Sequence, residues 1–172
     1  LSPNSIPKSI GIIGSGAIGI EFASFFNSMG SKVTVFEVLD RVLPSEDSDV
    51  SKAIEASLSK KGIKFFKNTR VINIQERKSL LLKTNNLINN KALEQEYMFE
   101  KVLVAVGVEG NISNLGLEHT SVQTENNHIK VNSSFKTSDD KIYAIGDVVG
   151  APWLAHKASH DGIVCIDGLY SK

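Results

Sequence analysis

A strand, turn and helix pattern built around three glycines constrains the fold of this chain more than any other feature. Residues 9–22 read SIGIIGSGAIGIEF, with apolar stretches on both sides of Gly14, Gly16 and Gly19. Glycine loses more backbone entropy on folding than any other residue, so three glycines in one turn need a reason. A strand precedes the turn, a helix follows it, and a carboxylate, Glu37, ends the next strand. This context predicts a turn that binds a dinucleotide.

The spacing gives each of these residues a predicted role. Gly14 makes the tight turn, Gly16 lets a pyrophosphate approach bare backbone, and Gly19 lets the helix pack closely on the strand. The N-terminus of the helix offers N–H groups and partial positive charge to the phosphates. Glu37 is placed to accept hydrogen bonds from a ribose diol and to repel a 2′-phosphate, which favours NAD over NADP, and the nearby Arg41 softens that preference. A glycine turn without a ligand is the alternative interpretation.

The apolar periodicity predicts a βαβαβ unit with a parallel sheet. Helix 17–29 places Ile18, Phe22, Phe25, Phe26 and Met29 on one predicted apolar face. The predicted elements are strand Ser9–Ile13, helix Ala17–Met29 capped by Gly30, strand Lys32–Glu37, a helix from Asp47 to Gly62, and strand Ile63–Phe66.

The pattern then changes to short strands and a second, smaller unit. Antiparallel strands are predicted at Thr69–Ile74, Lys78–Thr84 and Glu94–Phe99, with a polar loop at Asn85–Asn90, before a buried strand at Glu100–Val106 that ends at Gly107. The second unit begins near Asn111, with a hairpin around His128–Val131, a strand at Ile142–Ile145 and a helix from about Trp153. These elements are too few for an independent core, so we predict domains at 1–110 and 111–172, the second being part of a larger domain.

Composition excludes several classes of function. The formal net charge is zero, so no basic excess predicts binding to nucleic acid. No apolar run approaches the roughly 20 residues of a membrane span, and no membrane association is expected. The single cysteine, Cys165, excludes an intrachain disulfide and is predicted to be a buried, inert thiol.

Three polar residues have a bland interpretation beside a functional one. Glu21 is predicted in the first turn of the first helix, where it either complements the helix dipole or faces the nicotinamide end of the nucleotide. His156 and His160 have the spacing of two metal ligands on a helix. No third ligand follows with convincing spacing, so we predict no metal site.

Six segments together resemble one known family. They are GIIGSGAIGIEFA, VTVFE, LSKKGIKFFKNTRV, VLVAVGV, NLGLE and IYAIGDVVGAPWLAHKASHDG, in that order, and they cover nearly the whole chain. The sequence resembles the flavin-dependent pyridine nucleotide–disulfide oxidoreductases. The resemblance implies their α/β, three-layer FAD/NAD(P)-binding fold: a Rossmann-like parallel sheet with an antiparallel β-meander, plus an incomplete second nucleotide-binding unit.

The resemblance also implies cofactors and contacts. In the first unit, NAD is expected at Gly14, Ser15, Gly16, Ala17, Ile18, Gly19, Glu21, Glu37, Val71 and Gly107. In the second, Asp147 is expected to bind FAD through hydroxyls at or near the ribityl chain. Trp153, Leu154, Ala155 and His156 are expected to begin a helix that faces the isoalloxazine edge, where its dipole stabilises negative charge on reduced flavin.

The segment P-x-LAHKA after Gly146-Asp147 resembles one branch of the family most. Members of that branch act as homodimers on dihydrolipoamide, which is carried by the lipoyl domains of 2-oxoacid dehydrogenase complexes, in the bacterial cytoplasm or mitochondrial matrix. Another flavin disulfide reductase, an NADH oxidase or a stand-alone NAD-binding module are the alternatives.

The sequence also departs from the family pattern. The family's flavin-phosphate glycine motif, redox-active cysteine pair and catalytic His-Glu pair are not found, and residues 108–111 read VEGN where many relatives have an Arg and a Pro after the glycine. We therefore expect a fragment that contains no catalytic residue and does not turn over lipoamide alone.

Overall fold

A computed structural model describes residues 5–86 and 93–170. The chain divides into two compact units, Leu1–Gly107 and Val108–Lys172. Most of the polar loop predicted at 85–90 lies outside the described residues. No helix within the described ranges is long and apolar enough to cross a membrane.

The first unit contains a parallel sheet built from alternating strands and helices. The elements are β1 (Ser9–Ile13), α1 (Ala17–Ser28), β2 (Lys32–Phe36), α2 (Ser48–Lys60) and β3 (Lys64–Phe66), followed after the antiparallel strands by β7 (Lys101–Val104). The strand order is β3-β2-β1-β7, and every pair in it is parallel. The predicted βαβαβ unit is therefore confirmed, with bounds within about two residues of those expected.

The buried face of α1 differs from the predicted one. The helix buries Gly19, Ile20, Ala23 and Phe26 against the sheet. Three residues of the predicted face are instead largely exposed: Ile18 (45%), Phe25 (52%) and Met29 (52%). Small residues decide this orientation, because a helix approaches a sheet most closely where its side chains are smallest. The periodicity of large apolar residues therefore predicted the buried face only in part, since Phe26 is buried and Phe22 packs against the same core.

An antiparallel sheet is formed by the three strands that lie between β3 and β7 in the sequence. It comprises β4 (Thr69–Glu76), β5 (Leu80–Asn86) and β6 (Leu93–Phe99) in sequential order. A second hydrophobic cluster forms around Phe36, Leu82 and Phe99, and the ring centroids of Phe36 and Tyr97 lie 5.1 Å apart. Since Phe36 is the last residue of β2, this cluster fixes the antiparallel sheet next to the strand that directly precedes Glu37.

The second unit has little regular structure before its final helix. A hairpin joins β8 (Thr124–Glu125) to β9 (His128–Ile129). Its turn residues Asn126 and Asn127 both have positive φ, 50° and 60°, as a type I′ turn requires. Short 3₁₀ turns occur at Leu117–His119 and Gly146–Val149, and α3 spans Ala155–Tyr170.

Two predictions for the second unit were wrong, one for a strand and one for the start of the last helix. Residues Ile142–Ile145 form no strand; the segment makes only one isolated bridge, between Lys136 and Tyr143. A regular strand needs hydrogen-bonded partners along several successive residues. Among the described residues, this segment is bridged only at Tyr143. The last helix begins at Ala155, so Trp153 and Leu154 precede it.

Candidate nucleotide-binding site

The glycine turn is clamped between the two strands that flank β1. Gly14 has a φ of +97°, and a side chain there would overlap the carbonyl oxygen of Ala105, just after β7. On the other side, the Gly14 N–H donates to the carbonyl oxygen of Phe36 at 2.8 Å. A larger residue would meet both a strained φ and a backbone contact, so glycine at this position is required by the fold itself.

Gly19 is also required by packing. A Cβ at Gly19 would overlap the carbonyl oxygen of Gly14 and would lie 3.6 Å from the Cβ of Ala105. The first turn of α1 therefore lies against main chain, as the spacing predicted. The helix begins at Ala17, which makes Glu21 its fifth residue. The expectation that Glu21 lies in the first turn was wrong, since that turn holds no acidic residue, and Glu21 is exposed.

Gly16 differs from Gly14 and Gly19 because nothing in the described structure requires a glycine there. Its φ of −65° and ψ of 179° are open to any residue, and a Cβ would meet no atom within 4 Å. Gly16 is the N-cap of α1, yet no side chain caps the helix. The turn thus presents open space in front of the backbone N–H groups of a helix N-terminus, which is a geometry suited to an anion.

The Glu37 carboxylate lies against the same turn. Only 6% of Glu37 is exposed. Its Oε2 accepts two hydrogen bonds from Ser15, from the N–H at 2.8 Å and from Oγ at 2.7 Å, and Oε1 accepts from the Leu39 N–H at 2.9 Å. The main chain of Glu37 is also held, because its N–H donates to Phe66 and its carbonyl accepts from Thr69. The structure therefore brings the predicted acid and the predicted turn together.

The side chain of Ser15 is a contact that sequence reasoning missed. Ser15 was expected to act through its backbone, but it is fully buried and its hydroxyl reaches Glu37. Its carbonyl accepts from the Leu43 N–H at 2.9 Å, which ties the turn to the segment after β2. The signal in the sequence was a serine between the first two glycines of the turn. A buried carboxylate such as that of Glu37 needs hydrogen-bond donors, and a serine hydroxyl is one.

The other residues of the first unit that were predicted to lie near NAD are found at the start of α1, in β4 and in the loops. Ala17 and Ile18 are exposed at the start of α1, and Gly107 is exposed at the end of the unit. Val71 packs against the second hydrophobic cluster, and the register of β4 shifts just after it. The guanidinium of Arg41 donates to the carbonyl of Pro44 at 2.8 Å.

The second unit holds its own turn with a buried carboxylate, Asp161, to which the sequence analysis gave no role. Gly146 has a φ of +76° and opens the 3₁₀ turn that contains Asp147. Oδ2 of Asp161 accepts from the Gly146 N–H at 3.1 Å and from Nζ of Lys157 at 2.7 Å. Burial acts to raise the pKa of Asp161, but the hydrogen bonds from Lys157 and Gly146 outweigh it and lower that pKa below its ordinary value.

The predicted flavin contacts lie on and after this turn. Asp147 is exposed, as are Leu154, Ala155 and His156 around the start of α3. Trp153 stacks on His128, with ring centroids 6.0 Å apart. Cys165 is buried. Across residues 5–86 and 93–170, no group of three His, Cys, Asp or Glu side chains is arranged to hold a metal ion.

A parallel sheet with an uncapped glycine turn and a following carboxylate defines a dinucleotide-binding type of α/β fold. The family model described as pyridine nucleotide-disulphide oxidoreductase matches residues 1–162, and the chain belongs to this family. The family implies binding of FAD and NAD(P).

Two of the most similar curated relatives have the name dihydrolipoyl dehydrogenase. Dihydrolipoyl dehydrogenase of Bacillus subtilis is 44% identical over 171 residues, which are 97% of this chain and 35% of the relative. The enzyme of the same name from Rhizobium etli is 42% identical over 169 residues, which are 98% of this chain and 35% of the relative. The chain therefore spans about a third of the length of these curated relatives.

Solved structures have the same fold. The crystal structure of LpdA from Mycobacterium tuberculosis matches with a TM-score of 0.85 and 28% identity, over 99% of this chain and 36% of that one. The HOCl-induced flavoprotein disulfide reductase RclA from Escherichia coli matches with a TM-score of 0.88 and 27% identity, over 99% of this chain and 38% of that one. The predicted fold class, with one parallel and one antiparallel sheet, is confirmed.

Proposed function

We propose that this chain is the nucleotide-binding portion of a dihydrolipoyl dehydrogenase. In this proposal, residues 1–110 form the NAD-binding domain and residues 111–172 form the C-terminal portion of a discontinuous FAD-binding domain. The observation that carries it is Gly16, a glycine that the fold does not require. Its missing side chain leaves bare backbone at a helix N-terminus, where a pyrophosphate fits.

The remaining contacts of the first unit suit the rest of NAD. The backbone of Ser15, Ala17 and Ile18 would lie along the pyrophosphate, and Glu37 would accept from the adenosine ribose. A negative charge at that point opposes a 2′-phosphate, which supports NAD over NADP. The backbone of Val71 would border the adenine, while Glu21 and Gly107 would lie toward the nicotinamide.

The residues of the second unit suit one part of a flavin site. Asp147 is exposed on a turn that Asp161 holds, so its carboxylate is free to accept from hydroxyls of FAD. The N-terminus of α3, with Trp153, Leu154, Ala155 and His156, would stabilise negative charge near the isoalloxazine ring. When bound, FAD would supply the two-electron chemistry that links a disulfide to NAD.

The complete enzyme would oxidise dihydrolipoamide on lipoyl domains of 2-oxoacid dehydrogenase complexes. We expect it to act as a homodimer, in a bacterial cytoplasm or a mitochondrial matrix. The present 172 residues contain one cysteine and so supply no redox-active pair. We therefore expect no lipoamide turnover from these residues alone, and full turnover after addition of FAD and lipoamide would contradict this.

Isothermal titration calorimetry with NAD tests the role of Gly16. We expect weak binding by the wild-type chain and at least a tenfold loss of affinity in Gly16→Ala, with little change in thermal stability because the new Cβ meets open space. Gly162→Ala, on α3, is the matched control and should leave the affinity for NAD unchanged. Unchanged affinity in Gly16→Ala would contradict the proposal. Titration with FAD should give no measurable binding.

A second candidate is another flavin disulfide reductase of the same family. It is favoured by the 36% identity with leghemoglobin reductase of Glycine max over 175 residues. A comparison of substrates with the full-length protein distinguishes the two, since only the first proposal requires activity on dihydrolipoamide. A tighter affinity for NADP than for NAD would contradict the role given to Glu37.

A further inference from the structure

The Ser15 side chain and the Glu37 carboxylate form a buried pair whose geometry assigns more than structural support to Ser15. Both residues are almost fully buried, with Ser15 at 0% and Glu37 at 6% exposure. Ser15 donates twice to one carboxylate oxygen, Oε2, from its N–H and from its hydroxyl. A carboxylate oxygen has about two lone-pair sites, so these two donors occupy Oε2.

The other carboxylate oxygen remains able to accept from a ligand. Oε1 accepts one hydrogen bond, from the Leu39 N–H at 2.9 Å, and retains acceptor capacity. The two Ser15 bonds therefore select which oxygen of Glu37 would meet a ribose hydroxyl. No cation is paired with this carboxylate among the contacts of the described residues, so no ion pair offsets its charge.

We propose that Ser15 is a positioning residue that sets the preference for NAD over NADP by holding Glu37 through its hydroxyl. The inference rests on the proposed function, because it needs a nucleotide ribose at Glu37. Without the hydroxyl, the carboxylate would keep its two backbone donors but lose one of the three hydrogen bonds that hold its orientation. Glu37 then turns away from a 2′-phosphate more easily, and it also meets the ribose diol less often.

The test measures the affinities of NAD and NADP by calorimetry in wild-type protein and in Ser15 variants. We expect Ser15→Ala to weaken NAD about fivefold and to reduce the ratio of NAD to NADP affinity by a similar factor, the scale of one ordinary net hydrogen bond, because the lost bond lies within the protein and acts on the ligand only through Glu37. Ser15→Cys keeps the volume but donates weakly, so it should behave like Ser15→Ala and guards against a packing defect. Ser15→Thr keeps the hydroxyl and should restore the ratio.

Ser31→Ala is the matched control. Ser31 is also buried, and its hydroxyl donates to the carbonyl of Pro7 at 2.6 Å, at the other end of β2. It should change the stability but not the ratio of the two affinities. An unchanged ratio in both Ser15→Ala and Ser15→Cys, or an equal loss for both nucleotides, would overturn the role of Ser15 alone. Wild-type protein that binds no NAD would overturn the proposed function as well.

Discussion

The two units each hold a glycine turn with a buried carboxylate, but they balance its charge differently. In the first unit, Glu37 accepts from a turn N–H, a hydroxyl and a second N–H, all of them neutral donors. In the second unit, Asp161 accepts from the Gly146 N–H and from the ammonium group of Lys157 at 2.7 Å. One acid is therefore solvated by dipoles and the other is neutralised by a cation.

This difference separates a carboxylate available to a ligand from one that supports the fold. A carboxylate held by neutral donors keeps its net charge, so it can attract hydroxyls and repel phosphate. A carboxylate paired with lysine has little charge left to present, and its main effect is to fix the turn that carries Asp147. We therefore infer that Asp161 acts through the position of Asp147, whereas Glu37 acts directly on a ligand.

The largest expected effect is on the free energy of unfolding when a glycine of each turn is replaced by alanine. Gly19→Ala introduces a methyl group onto the carbonyl oxygen of Gly14, and we expect it to cost about 3 kcal/mol of unfolding free energy. Gly146→Ala meets only the Cβ of Ala158 at 3.4 Å and should cost about 1 kcal/mol, from its positive φ. Chemical denaturation measures both. An equal loss of unfolding free energy in the two variants would show that main-chain packing does not distinguish the turns.

A smaller effect compares the two acids directly. Glu37→Gln puts an amide NH₂ against a backbone or hydroxyl donor, so we expect a loss of about 2 kcal/mol in stability together with a large loss of NAD affinity. Asp161→Asn should lower the thermal unfolding midpoint of the second unit and leave NAD affinity unchanged. The measurements are thermal unfolding and calorimetry on the same samples. Loss of NAD affinity in Asp161→Asn would remove the distinction between the two acids.

The smallest effect is a dependence of stability on pH in the second unit. The pKa of Asp161 is lowered on folding, so the folded state binds fewer protons than the unfolded state at acidic pH. Stability from this acid is therefore present above the ordinary pKa of a carboxyl, near about 4, and is lost as the pH falls through the lower folded value. The pKa of Asp139 is also lowered, mainly by the Lys141 N–H. Asp161→Asn should thus reduce the acid sensitivity without abolishing it, as thermal unfolding midpoints measured at several pH values would reveal.

Local patterns of the sequence were sufficient to predict the elements around the turn. The glycine spacing, the apolar strand before it and Gly30, which directly follows the C-cap residue Met29, are local signals, and the structure has the predicted order of strands and helices. The pairing of Glu37 with the turn was also predictable, because parallel strands β1 and β2 end at the same edge of the sheet.

Features that depend on distant partners were missed. The buried face of α1 is set by the contact of Gly19 with Gly14 and Ala105, and no periodicity of large apolar residues encodes it. The absence of a strand at 142–145 reflects the lack of a second ladder partner among the described residues. The support of the Gly146 turn by Asp161 arises because α3 returns to that turn, which a motif of neighbouring residues does not reveal.

The position of β7 has a consequence for the order of folding. Ala105 packs on Gly14 but comes after the whole antiparallel sheet in the sequence, whereas β1, α1 and β2 are consecutive elements. Closing so large a loop is slow compared with local pairing. We therefore expect the β1–α1 turn to acquire its final rigidity late, after the three-stranded sheet has formed. In pulsed hydrogen exchange, protection of the Ala105 amide, which donates to the carbonyl of Ile13, should lag behind that of β5. Early protection at Ala105 would contradict this sequence of events.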